Sequence, residues 1–261
     1  MANPEALVLT EHLNGITIVT LNRPTALNAL SSGLRAAISE TFIALRHDEQ
    51  TEVIILTGAG RAFTVGLDLK ELGGEKPADA TRASIDIAAA LRDMPKPIIG
   101  AVNGFAITGG FELALMCDFL IASPDARFAD THGRVGVVPG WGLSQRLPRL
   151  IGANRAKELS LTGNYLDAQT AYAWGLVNRV VPATELLPTC IALARDILTT
   201  EPVTRGEIKR LIDAGWNSTL AEGLRLEDEA SKAHGRKEVR AEKVAARRAA
   251  IQARGREQSG T

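Results

Sequence analysis

The spacing of apolar residues changes several times along this chain, and the changes mark its elements. Residues 6–12 and Ile16–Leu21 read as strands, and Asn14-Gly15 between them predicts a tight hairpin, because such a turn needs the positive φ that Asn and Gly tolerate. Asn22-Arg23-Pro24 breaks the second strand. Ser31 is placed to cap a helix running to about residue 46, with Leu34, Ile38, Phe42 and Leu45 at helical spacing. Residues 53–56 form a short buried strand that ends in Thr57-Gly58-Ala59-Gly60. Residues 62–70 show no clear period and read as loop, and residues 73–77 as a polar, mobile segment. A helix over 81–94 and a strand over Ile98–Val102 follow.

The next stretch, residues 104–118 (GFAITGGFELALMCD), has two glycines, Gly109 and Gly110, then an apolar run interrupted once, by Glu112, before its final Asp118. A helix beginning at Gly109 would leave its first backbone N–H groups unpaired, at an end where the helix dipole favours negative charge. Glu112, in the first turn, would add a carboxylate on the same side. One short element thus offers an amide to a developing oxyanion and a group for proton transfer; the alternative is a packed helix with its Glu salt-bridged. Phe119–Ala122 reads as another strand, so strands alternate with helices and imply a parallel sheet.

After Gly140 the pattern is nearly all helical: Leu143–Ile151, then 155–161, 168–174, 185–198, 203–214 and 218–234, interrupted by one strand at 176–181. Residues 236–257 carry eight Lys or Arg against three Glu with a weak apolar stripe, and read as a solvated helix or a loose tail.

Composition narrows the function. Apolar content of 45% supplies an ordinary globular core, and a formal net charge of zero gives no global case for nucleic acid or an anionic membrane. Cys117 and Cys190 lie in apolar surroundings without metal spacing, which fits reduced core thiols and a cytoplasmic location. Residues 1–12 show no basic and apolar leader pattern. Residues 104–123 are long and apolar enough to suggest a membrane span, but Glu112, Asp118 and the glycines favour a buried soluble core. Thr57-Gly58-Ala59-Gly60 follows a strand as a dinucleotide fingerprint would, yet Phe63 occupies the third glycine position. No G-x-S-x-G elbow occurs, and His12, His47, His132 and His234 have no metal-binding spacing.

Several motifs in unbroken order then point to one family. They are Asn22-Arg23-Pro24 with Asn28-Ala29-Leu30, and Leu56-Thr57-Gly58-Ala59-Gly60-Arg61-Ala62-Phe63. Gly66-Leu67-Asp68-Leu69-Lys70, Asn103-Gly104-Phe105-Ala106 and Gly109-Gly110-Phe111-Glu112-Leu113 follow. Pro139-Gly140 with Gln145-Arg146-Leu147, and Gly175-Leu176-Val177-Asn178 with Val180-Val181-Pro182, complete the set. Over roughly residues 5–230 the chain resembles the crotonase (enoyl-CoA hydratase/isomerase) superfamily. The resemblance implies an α/β crotonase fold: a spiral of ββα repeats over 1–200, then a helical C-terminal trimerisation region over 201–261 that ends in the basic segment. It implies an acyl-CoA thioester as substrate, a homotrimer or dimer of trimers, and no cofactor beyond the coenzyme A of the substrate.

The same resemblance implies an oxyanion hole built from the backbone N–H groups of Leu67 and Gly109. Ala62, Gly66, Leu67, Asp68, Leu69, Lys70 and Gly109 would contact substrate and CoA, with Lys70 or Arg23 available to phosphates. Glu112 corresponds to the first of two glutamates used by the family's hydratases. His132 stands where the second is expected, and Asp130 is a possible orienter of its ring. Three readings follow: His132 replaces the acid/base, one proton shuttle serves a different reaction such as isomerisation or thioester hydrolysis, or His132 is structural. Trp141 and Leu143 are bulkier than the family's usual residues after Pro-Gly, which predicts a restricted acyl site unless Trp141 faces the core or a subunit contact. Enoyl-CoA hydration is the leading expectation, ahead of isomerase or hydrolase activity and of CoA binding without turnover.

Overall fold

A computed structural model describes residues 6–75 and 86–259, and the chain forms two compact units, Met1–Thr200 and Glu201–Thr261. In the first, β1 (Val8–Leu13) and β2 (Ile16–Leu21) form the antiparallel hairpin, turning through Asn14 and Gly15 at φ 45° and 86°. The remaining strands are β3 (Val53–Gly58), β4 (Ala62–Thr64), β5 (Ile98–Val102), β6 (Phe105–Ile107), β7 (Phe119–Ala122), β8 (Arg127–Ala129), β9 (Leu166–Asp167) and β10 (Arg179–Val180). The larger sheet runs β1-β2-β3-β5-β7-β10, parallel after its first pair, and the smaller runs β4-β6-β8-β9. Three times a strand of the larger sheet hands on to one of the smaller: β3 to β4, β5 to β6, β7 to β8. That repeat is the spiral.

Both faces of the larger sheet are covered, which explains why its inner strands read as continuous apolar runs. Ile54 and Leu56 enter one core cluster with Leu34, Ile38, Phe42 and Leu45 of the helix Ser32–His47. Their neighbours Val53 and Ile55 enter a second with Leu186, Cys190 and Ala194 of the helix Leu186–Leu198. Ser31 caps its helix as expected, its Oγ accepting the Leu34 amide at 3.2 Å.

Residues 62–70 are not simply loop: they hold β4 and, after a turn, the short helix Leu69–Leu72. A strand of three residues is too short for periodicity to reveal. The strand expected over 176–181 shrinks to Arg179–Val180. The helix expected over 81–94 is observed as Ile87–Leu91; residues 81–85 lie outside the described ones, as do 76 and 77 of the polar segment. Buried Asn28 and half-buried Asn103 both donate to the Ala62 carbonyl, at 2.8 and 3.2 Å, and so fix the crossing into β4.

In the second unit the helices Pro202–Trp216, Leu220–Glu238 and Ala241–Ser259 succeed one another, and the last carries most of the basic segment. Among the described residues no helix is long and apolar enough to cross a membrane.

Candidate active site

The helix Gly109–Ala114 follows β6 directly and packs against β4. Gly110 permits the approach: a Cβ there would stand 2.0 Å from the Thr64 carbonyl oxygen. Gly66, at φ +83°, turns the chain beyond β4 back toward the helix start, and a Cβ on it would stand 3.0 Å from the Gly109 amide nitrogen. The Leu67 and Gly109 amides therefore belong to adjoining turns. Leu30 makes a bridge with Leu67 that uses the Gly66 carbonyl and the Asp68 amide and leaves the Leu67 N–H unused. Among the described residues neither the Leu67 nor the Gly109 amide donates a hydrogen bond. Two unpaired donors on neighbouring rigid turns suit an oxyanion.

Thr108 precedes the second donor at φ 54°, ψ −114°, a backbone region that disfavours a side chain. Three bonds hold it there. Its amide donates to Ala129 at 2.8 Å, its hydroxyl pairs with that of Thr131 at 2.5 Å, and the same hydroxyl oxygen accepts the Thr131 amide at 3.3 Å. Sequence reasoning missed Thr108 and Thr131, because neither residue type signals an unusual dihedral.

Glu112 is 3% exposed, and its Oε1 accepts the amides of Trp141 at 2.7 Å and Leu143 at 3.3 Å. Its Oε2 faces His132 Nε2 at 3.5 Å. On the other side of the ring, His132 Nδ1 donates to Asp130 Oδ1 at 2.6 Å. Burial opposes charge on the imidazole, but hydrogen bonds to Asp130 and Glu112, with their charges, prevail and lift its pKa to about 9. Burial likewise opposes charge on Asp130, yet bonds from His132 and the Ser160 hydroxyl hold its carboxyl below the usual range. The His132 ring thus lies between the carboxyl groups of Asp130 and Glu112, and Glu112 shares its short helix with the Gly109 amide. The Trp141 ring stands there too: a methyl group on Gly109 would lie 3.2 Å from its Cζ3.

Asp68, Leu69 and Lys70 follow Leu67 directly. Asp68 is buried and engaged, accepting from Arg23 Nη1 at 3.0 Å and capping the Leu69–Leu72 helix through the Lys70 amide. Arg23 also donates to the Ala29 carbonyl at 2.6 Å, so the pair ties the turn bearing Leu67 to the start of the chain's first long helix. Ala62 is fully buried. Leu69 and Lys70 are exposed.

This fold and site suit a protein that stabilises an oxyanion and moves protons beside it. The model of the enoyl-CoA hydratase/isomerase family matches residues 11–248, and the chain belongs to that family. It is 43% identical over 220 residues to a protein of Arabidopsis thaliana named probable enoyl-CoA hydratase 1, peroxisomal, covering 84% of this chain and 83% of that one. It is similar to the crystal structure of enoyl-CoA hydratase from Mycobacterium tuberculosis H37Rv (TM-score 0.74, 43% identity, 87% and 98% of the two chains). It is also similar to a monofunctional enoyl CoA isomerase from M. smegmatis (TM-score 0.72, 37% identity, 83% and 97%).

Proposed function

We propose that this protein is an enoyl-CoA hydratase that adds water across the double bond of a 2-enoyl-CoA thioester, with His132 as proton donor. The observation that carries the reading is the contact between Glu112 and His132, with Glu112 on the helix that opens at the unpaired Gly109 amide and with the Leu67 amide on the adjoining turn. Glu112 takes a proton from water as its oxygen bonds to C3. The π electrons move toward the thioester, whose oxygen accepts hydrogen bonds from the two amides as negative charge develops. His132 Nε2 delivers its proton to C2. The proton held by Glu112 then returns to Nε2 across the 3.5 Å contact, restoring both groups.

This chemistry uses no metal or redox group; coenzyme A enters as part of the substrate. Leu69 and exposed Lys70 face solvent beyond Leu67, where Lys70 offers a cation to a CoA phosphate. A cytoplasmic homotrimer or dimer of trimers completes the reading.

The test is hydration of crotonyl-CoA, followed by loss of the conjugated enoyl absorbance. Wild type is active, and His132→Ala loses about 10²–10⁴-fold in kcat, the usual size of an acid/base contribution. An inactive wild type that gains hydration as His132→Glu would move the protein to another acyl-CoA reaction. The same pair can also carry a proton between two carbons, the reaction class of the M. smegmatis relative. Migration of a 3-enoyl double bond without hydration selects that reading.

A further inference from the structure

We infer that Asp130 is a positioning residue that dictates which nitrogen of His132 works on the substrate and keeps that nitrogen loaded with a proton. For its kinetic consequence the inference rests on the hydratase reading; for the state of the ring it does not.

Asp130 lies just past the end of β8, and it is 2% exposed. One oxygen, Oδ1, receives two donors two residues along: the His132 backbone amide at 3.2 Å and the ring Nδ1–H at 2.6 Å. The first bond closes a small turn that sets the direction of the Cα–Cβ bond, and the second fixes the rotation of the ring. The Ser160 hydroxyl, from the helix Ala153–Thr162, holds the carboxylate from a separate element. The titratable groups acting on His132 are Asp130 and Glu112. Glu112 is committed through Oε1 to Trp141 and Leu143, so only Oε2 faces the ring. The ring is therefore polarised. Nδ1–H is locked to Asp130, and Nε2 points to Glu112.

The consequence concerns the moment after proton delivery. When Nε2 gives its proton to C2, the ring becomes neutral and keeps Nδ1–H, because that proton sits in a short bond to a buried carboxylate. Nε2 is left with a lone pair aimed at Glu112, which now holds the proton taken from water. The transfer back from Glu112 to Nε2 needs no ring flip. Without the Asp130 charge the neutral ring is free to take the other tautomer, which presents N–H where a base is needed for reloading.

The experiment is titration of the His132 ring in the full-length protein by ¹⁵N NMR, together with crotonyl-CoA kinetics, in wild type and Asp130→Asn. Asn keeps the size and an acceptor for the backbone amide but removes the charge. In Asp130→Asn the ring titration falls by at least about one pH unit, a tenfold loss of proton affinity. The high-pH limb of kcat moves with it, and kcat drops about 10–100-fold with KM little changed, while Asp130→Glu recovers part of the shift. A ring titration unchanged in Asp130→Asn overturns the inference and leaves Asp130 as a turn former. If Asp130→Asn does not fold, wild type decides: above the titration the neutral ring carries its proton on Nδ1, and a neutral ring protonated on Nε2 overturns the inference. A wild type with the expected ring state but no hydration removes the hydratase reading and leaves the Asp130 assignment standing.

Discussion

The Trp141 amide donates to Glu112 Oε1 at 2.7 Å while the Trp141 side chain stands over Gly109, so one residue both orients Glu112 and walls the Gly109 turn. The first role is carried by backbone and the second by side chain, and a substitution separates them. In Trp141→Ala the amide is still present, so kcat with crotonyl-CoA stays within about tenfold of wild type. The space left by the indole admits longer or branched acyl chains, and kcat/KM for these rises relative to crotonyl-CoA. Comparing acyl-CoAs of increasing length measures this, and an unchanged preference would show that the ring does not bound the acyl site.

The raised pKa of His132 makes stability as well as rate depend on pH. Its ordinary value of 6.5 rises to about 9 in the folded protein, so the folded state binds the proton more tightly. That contribution to stability is complete below 6.5 and is lost as pH rises through about 9. Denaturant unfolding of wild type and His132→Gln at about pH 6 and about pH 10 checks it, because the stability advantage of wild type should shrink between them. An advantage equal at both values would contradict the raised pKa. Hydration by wild type should also fall on the alkaline side near 9, where the proton donor is lost.

Thr108 reverses a common rule. Ala usually stabilises a backbone position relative to Gly, because Gly loses more conformational freedom on folding. At φ 54°, ψ −114° the Cβ is itself the strained group. Thr108→Gly and Thr108→Ala both lose the hydroxyl that meets Thr131, but only Gly escapes the strain. Thermal melts should therefore rank Thr108→Gly above Thr108→Ala by about 1 kcal/mol. Because the Gly109 amide follows directly, both variants should also lose hydration kcat. If the Ala variant is the more stable, Thr108 is not strained.

Local chemistry made much of this protein legible from its sequence. Asn14-Gly15 announced the hairpin because the turn demands positive φ, and Ser31 announced the first long helix because a hydroxyl can accept a helix-end amide. Gly109 marked the start of the helix bearing Glu112, and the chain length from His132 to Pro139-Gly140 placed a histidine at the position where the family resemblance expects a glutamate. Each of these features depends on neighbours a few residues away.

What only the tertiary structure decided depends on partners far apart in sequence. The strands β4, β6, β8 and β9 have two or three residues each, too few to carry a period, and they exist through pairing with one another. Asp68 is bound to Arg23, 45 positions earlier, a pairing that no local pattern announces. Thr108 keeps its strained backbone because Ala129 and Thr131 bond it from across the smaller sheet. The alignment of Asp130, His132 and Glu112 joins a β8 end to a helix start that is adjacent only because β6 and β8 are paired strands. Short-range backbone preference sets where elements begin and end. The state of a buried charge is set by whatever the fold brings within a few ångströms of it, and that distance is not a property of the local sequence.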